Sequence, residues 1–225
     1  MYLVKPLPPQ IERSRLDLLA RAEPATIGHV LHTGFMDPGV AALQRDVRVA
    51  GTAVTVQVVG PDFTLVHYAL GRVRPGDVLV LDRCGDTRHA VTGGAVIYAA
   101  RAAGVAAIVV DGVVTDLGEL RRYGVPVWCR GASVVTGKPL SIGGGFCVPI
   151  SCGGVAVNPG DAILADENGV LVLPPAMIET AARRAIEMQE EERGTLARVD
   201  AGERMGDISG ATARVLANLT PGSEV

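Results

Sequence analysis

The stretch IVVDGVVTDLGELRRYGVPVW, residues 108–128, decides the fold class. An apolar run, Ile108-Val109-Val110, breaks at Asp111-Gly112, and a short loop then presents Thr115-Asp116. A helix-like segment runs from about Leu117 to Tyr123, is closed by Gly124, and leads to a second apolar run, Val125-Pro126-Val127-Trp128. Short apolar runs rich in Val and Ile and bounded by turn residues are the pattern of buried strands. Strand, helix, strand is the unit from which α/β domains are built.

The flanking sequence extends the pattern in both directions. RPGDVLVLD (74–82) is a turn into a buried strand, and residues 91–103 form an Ala-rich helix with Gly104 as its stop. Upstream, VRVAGTAVTVQVVG (47–60) alternates as a strand and FTLVHYALGRV (63–73) has helical spacing. Residues 11–22 and a short segment through Ile27, Val30 and Leu31 give a helical start. Beyond Trp128 the chain is glycine-rich and strand-like up to Val157, with Gly143-Gly144-Gly145 expected as a turn. NPGDAILADENGVLVLP (158–174) echoes RPGDVLVLD, and Ala176 to Arg204 is strongly helical and charged. The expectation is one α/β domain with a mixed sheet and a long C-terminal helix over 1–204, followed by a loosely docked tail, 205–225.

Composition narrows the function classes. With 48% hydrophobic residues, 20% charged and only 4% aromatic, the core must be largely aliphatic. A net charge of −3 and the absence of any basic, aromatic-interleaved cluster argue against nucleic-acid binding. No window approaches the roughly 18 apolar residues of a membrane span, and the N-terminal MYLVKPLPPQ has no apolar targeting core. Cys84, Cys129, Cys147 and Cys152 show no CxxC spacing, so neither a zinc ribbon nor a thioredoxin-type site is indicated, and reduced thiols in a cytoplasmic protein are the expectation.

Candidate sites carry structural and chemical readings side by side. Asp116-x-x-Glu119 fits a capping box, in which Asp116 accepts backbone N–H bonds at the start of its own helix and Glu119 reaches back. The same aspartate, just after a buried strand, is placed for chemistry, and the two roles are compatible. Thr92-Gly93-Gly94-Ala95-Val96 opens a helix after a strand; unpaired N–H groups there attract carboxylates, and glycines let a ligand come close. A tight helix–sheet contact would need the same small residues. Asp86, Arg88 and His89 precede that helix in a polar loop that is either solvated or beside an anion site. His29 and His32, at i and i+3, could ligate a metal but lack an identifiable partner. Glu190, Glu191 and Glu192 form a solvated helix face or serve a subunit interface.

In combination, PGDVLVLD (75–82), GGAVIYAARAAGVAAIVVDGVVTD (93–116), GVPVW (124–128) and NPGDAILADENGVLVLP (158–174) resemble the RraA-like proteins. This family holds the 4-hydroxy-4-methyl-2-oxoglutarate aldolases and the regulators of ribonuclease E activity, and the resemblance runs from about Thr26 to Gly202. It implies a swivelling β/β/α-type domain, assembled as a homotrimer or hexamer with active sites between subunits. It implies a divalent cation, Mg²⁺ or Mn²⁺, held through an aspartate and waters, that stabilises the enolate formed when a 2-oxo acid is cleaved. The aldolases also decarboxylate oxaloacetate through the same enolate. By position the metal-site aspartate is Asp116. The amide cradle for the substrate carboxylate is Gly93, Gly94, Ala95 and Val96, with Asp82, Asp86 and Arg88 near enough in sequence to assist. Glu192 is the first choice, within 190–192, for an acid donated by a neighbouring subunit.

The sequence departs from the aldolase pattern at two positions. Thr115 stands where the aldolases carry an arginine that contacts the keto or enolate oxygen, and Gly94 stands where they usually carry Glu or Asp. Losing one oxyanion donor commonly costs ~10²–10³ in rate, so Arg88, Arg121 or Arg122 would have to replace it. The ribonuclease regulators tend to keep that arginine and vary the aspartate. The resulting readings are a metal-dependent carbon–carbon lyase of a small 2-oxo acid with Asp116, Thr115 and Glu192 at the reacting centre, a family enzyme with altered chemistry on a related carboxylated substrate, and a non-catalytic trimer that binds a protein partner.

Overall fold

The computed structural model describes residues 1–220. The chain opens with β1 (Tyr2–Val4), α1 (Arg13–Leu19), α2 (Pro24–Ile27) and the two-residue β2 (Ala41–Ala42). The long β3 (Arg48–Val58) is followed by α3 (Thr64–Leu70), β4 (Asp77–Asp82), α4 (Gly94–Ala102) and β5 (Ala107–Val110). Next come β6 (Val113–Val114), α5 (Leu117–Tyr123), β7 (Val127–Cys129) and β8 (Gly131–Ala132). Short strands β9 (Gly144–Phe146), β10 (Ile150–Cys152) and β11 (Val155–Val157) precede the hairpin β12 (Ala162–Asp166) and β13 (Gly169–Leu173). Helices α6 (Ile178–Asp200), α7 (Met205–Ile208) and α8 (Ala211–Leu216) complete the described chain.

A nine-stranded mixed sheet runs β1-β9-β3-β4-β5-β7-β2, with β12 paired to β3 and β13 to β12. Its centre, β3-β4-β5-β7, is parallel, and α3, α4 and α5 are the crossovers. Parallel strands are covered on both faces, which is why their sequences are continuous apolar runs. Val54, Val56, Leu79, Leu81, Ile108 and Val110 pack beneath α3–α5. Their alternating neighbours Ala53, Val78, Val80, Val109 and Trp128 pack on the opposite face against residues of β10–β13. Buried Trp128 donates its indole N–H to the Asp166 carbonyl at 2.8 Å, tying β7 to the end of β12. A third core joins Ala162, Leu164, Leu171 and Leu173 to α1, α2 and the first two turns of α6. The layering is thus β/β/α, with the long C-terminal helix outside it.

The two PGD turns are built alike. Asp77 accepts from the Arg74 amide and Asp161 from the Asn158 amide, each at 2.8 Å, while Gly76 and Gly160 take positive φ of 85° and 94°. Both strands enter beside Thr52, β4 along one edge of β3 and β12 along the other. Local sequence similarity here reflects two similar strand entries onto one central strand.

Two expectations are corrected. Gly143-Gly144-Gly145 is no turn: Gly144 and Gly145 belong to β9, which lies between β1 and β3. A Cβ on Gly144 would come 2.3 Å from the Gln57 carbonyl, so glycine serves close strand contact there. The helix through Ile27, Val30 and Leu31 is shorter than expected, ending at Ile27. Within the expected tail, 205–225, the short helices α7 and α8 bury no residue, and 221–225 lie outside the described residues. No helix among the described residues is long and apolar enough to cross a membrane.

Candidate active site

The site is assembled where the adjacent parallel strands β4 and β5 end. The loop after β4 is anchored by Arg83, fully buried, which donates to the carbonyls of Val58, Gly60 and His89. Burial pulls its pKa below the usual value, against the opposing pull of Asp86. The loop after β5 is anchored by Asp111, which accepts from Arg130 and from the Gly153 amide. A bond from Thr115 N–H to the Thr92 carbonyl, 3.0 Å, stitches the two loops together, and β6 pairs with β8 to fix the approach to Asp116.

The capping box is not formed. Asp116 precedes α5 in the left-handed region, φ 56° and ψ 44°, and its side chain makes no bond to its own helix. Instead its Oδ2 accepts from Gly94 N–H at 3.0 Å, at the start of α4. The left-handed backbone turns the carboxylate off α5 and across to the neighbouring helix, a conformation Asp tolerates better than most residues. Glu119 also departs from the box. Its Oε2 would lie 1.5 Å from a Cβ built on Gly94. A Cβ on Gly93 would likewise meet Asp116 Oδ2 at 2.6 Å and Thr115 Cγ2 at 2.7 Å. Consecutive glycines therefore make room for side chains of the Thr115–Glu119 segment at one helix start.

The first amides of a helix have no acceptor within it. Gly94 N–H is taken by Asp116; those of Ala95 and Val96 have no acceptor among the described residues. They face a pocket of about 200 Å³ lined by Gly93–Val96, Thr115 and Asp116, with Phe63 and His67 of α3, Ala90, Val91 and Thr136. A second recess of about 260 Å³, lined by Thr115, Asp116, Leu117 and Ala132–Val134, adjoins it through the shared Thr115 and Asp116. His67, stacked on Phe63 with ring centroids 4.4 Å apart, brings an imidazole to the lining of this pocket. Sequence reasoning missed it, because FTLVHYALGRV reads only as an amphipathic helix.

The other predicted residues fall elsewhere. Asp86 is a loop staple: burial alone would raise its pKa, but the His89 and Arg88 amides, the His89 ring and Arg83 outweigh that and hold it at about 2. Arg88 is exposed and does not line the pocket, and neither do Arg121 and Arg122. Thr115 Oγ1 lies 3.3 Å from Asp116 Oδ1. Glu192 is on the exposed part of α6, a helix that packs on α1 and α2 rather than over α4, so one chain does not bring it to Asp116. Glu190 pairs with Arg193 and Glu191 with Arg184. His29 and His32 are exposed, all four cysteines are free, and among the described residues no three His, Cys, Asp or Glu side chains converge to hold a metal.

The arrangement offers two free backbone amides for an anion and a carboxylate beside them, in a pocket suited to a small acid. The family model described as Aldolase/RraA matches residues 25–172. A 4-hydroxy-4-methyl-2-oxoglutarate aldolase of Thermus thermophilus is 38% identical over 128 residues, covering 56% of this chain and 76% of its own. The RraAS2 protein of Streptomyces coelicolor, an unusual member of the RNase ES inhibitor RraA family, superposes with a TM-score of 0.74 at 28% identity, covering 83% of this chain and 98% of that one. The RNA-processing inhibitor RraA of Thermus thermophilus has a TM-score of 0.62 at 32% identity, covering 68% and 93%. By the family match and this shared architecture, the chain belongs to the RraA-like family.

Proposed function

We propose that this chain is a divalent-cation-dependent carbon–carbon lyase acting on a small 2-oxo acid, by aldol cleavage or by decarboxylation of oxaloacetate. The observation that carries the reading is the pair of free amides, Ala95 and Val96, beside the Asp116 carboxylate in one small pocket. Its volume, about 200 Å³, lies below the roughly 300–1,000 Å³ of drug-sized sites and suits a short carboxylic acid. The name of the 38%-identical Thermus thermophilus relative supports the same class.

The donor set fits a hydrated hard cation. Mg²⁺ and Mn²⁺ accept one or two carboxylate oxygens and keep several waters, so a site without three converging protein ligands suits them. Asp116 would hold the ion through its oxygens. When bound, the cation supplies Lewis-acid stabilisation of the enolate that develops on C–C cleavage. The chain's own groups do the rest. Ala95 and Val96 N–H hold the substrate carboxylate, aided by the positive end of α4. Phe63 and Val91 line the pocket, and His67 would donate to a developing oxyanion, where Thr115, whose hydroxyl is directed at Asp116 Oδ1, brings no positive charge. Glu192 enters only from a second copy, in a homotrimer or hexamer whose sites lie between subunits.

The test is pyruvate release from oxaloacetate and from 4-hydroxy-4-methyl-2-oxoglutarate, with Mg²⁺ or Mn²⁺ and then with excess chelator. Metal-dependent turnover that disappears in Asp116→Ala is the expected result. One observation favours a second reading, a non-catalytic regulator: no Arg or Lys lines the pocket among the described residues. Under that reading chelation and Asp116→Ala leave the protein's behaviour unchanged, and partner capture depends on its outer surface. Cation binding without turnover of either acid would instead favour altered chemistry on a related carboxylated substrate.

A further inference from the structure

We infer that Glu119 is a second carboxylate of the cation site, and that glycine at position 94 is the device that admits it. The inference rests on the cation reading above. A Cβ at Gly94 would overlap Glu119, with Oε2 at 1.5 Å and Cδ at 2.7 Å. The Glu119 carboxyl thus occupies the volume that any side chain at 94 would fill. Gly94 is the first residue of α4 and its φ is not in the positive region, so no backbone demand calls for glycine there.

Glu119 has other partners within reach in sequence and takes none of them. Glu119 is exposed, and among the described residues Arg122, one turn along the same helix face, makes no ion pair and the Glu119 carboxylate accepts no hydrogen bond. It lies instead over the residue whose amide binds Asp116 Oδ2. Two like charges brought to one helix start repel each other, and the partial positive charge there offsets this by only about 0.3–1 kcal/mol per carboxylate. A divalent cation held by Asp116 and Glu119 would relieve the conflict, and two carboxylates plus waters would be a donor set suited to a hard ion. The Asp116–Glu119 segment brings both acids, and the double glycine at the start of α4 makes the space for them.

The test is Mn²⁺ binding to the full-length protein, read calorimetrically and by the loss of the free-ion paramagnetic resonance signal, with fold monitored by circular dichroism. Wild type is expected to bind, and Glu119→Gln to bind about tenfold or more weakly with its fold intact. Gly94→Ala is expected to weaken Mn²⁺ binding to a similar degree with the fold intact, because its methyl would displace the Glu119 carboxyl end, while Glu119 Cβ, at 3.3 Å, need give by only a few tenths of an ångström. In the Glu119→Gln background, Gly94→Ala should add no further loss. If Asp116→Asn abolishes binding while Glu119→Gln and Gly94→Ala bind like wild type, this inference is overturned and the lyase reading survives. If wild type binds no Mn²⁺, the cation reading fails and this inference falls with it.

Discussion

Asp116 combines an unfavourable backbone conformation with a carboxylate turned away from its own helix, so its replacements should separate stability from activity. A non-glycine residue in the left-handed region costs about 1 kcal/mol. The bond from Gly94 N–H to the carboxylate, 3.0 Å and part-buried, is worth about 1 kcal/mol at a helix start. Asp116→Ala loses that bond and places an ordinary side chain at φ 56°, for a cost of about 2 kcal/mol in all. Asp116→Gly loses the same bond and gains unfolded-state entropy, but relieves the backbone, for about 1 kcal/mol net. Asp116→Asn keeps an acceptor oxygen and tolerates the conformation, and should change stability by under ~0.5 kcal/mol. For a chain of this length 1 kcal/mol is about 2–4 °C in melting temperature. Stability should therefore fall in the order Asp, Asn, Gly, Ala, whereas pyruvate release should drop by at least ~10² in all three variants. Thermal melts alongside coupled pyruvate assays measure both. An Ala variant as stable as Gly would refute the strain argument, and an active Asn variant would refute the catalytic one.

Other perturbations test the remaining parts. Thr115→Arg should raise turnover of a 2-oxo acid by up to ~10² if the pocket lacks an oxyanion donor; an unchanged kcat would show that Thr115 is not the limiting residue. Gly144→Ala should destabilise by about 3 kcal/mol or more, seen in urea unfolding, because its Cβ would meet a backbone oxygen at 2.3 Å with φ at +126°. Burial alone would raise the Asp62 pKa, but bonds from the Thr64 hydroxyl and the Thr64, Leu140 and Ile142 amides outweigh it and hold it at about 2 instead of 3.8. At about 1.4 kcal/mol per pH unit that is worth ~2 kcal/mol, fully present above pH ~4 and lost as pH falls towards 2. Asp62→Asn should remove it at neutral pH and flatten the stability curve between pH 4 and 2.

The βαβ core was legible because its signals are local. Apolar runs at 78–81 and 107–110 and the stop at Gly104, with φ 72°, are written in adjacent residues. Gly124 closes α5 at φ 76° for the same reason. What failed depended on distance in the chain. Gly144 looks like a turn until Gln57 is known to lie against it, and the Asp116-x-x-Glu119 spacing looks like a cap until Gly93 and Gly94 are brought across from α4. His67 carries no motif at all; only the packing of α3 beside α4 places it in the pocket. Family resemblance pointed to Asp116 and the glycine pair, but it could not say which atoms of Asp116 meet which amide.

The placement of the site follows from the topology rather than from any one motif. In a parallel sheet every strand delivers its loop to the same end, and helix starts gather there with their amides unpaired. β4 and β5 are neighbours, so the two loops that follow them must meet, and here they are joined by the bond from Thr115 to Thr92. One loop then contributes the amides and the other the acids. An amide cradle on α4 alone would bind any small anion, and acids on α5 alone would bind any cation weakly. On the proposed reading, setting them against each other makes a pocket that would favour a molecule carrying both a carboxylate and an oxygen that a cation can bind. A 2-oxo acid has these groups on adjacent carbons. That pairing of demands, built from two adjacent strand ends, is the physical reason to test 2-oxo acids before any other substrate class.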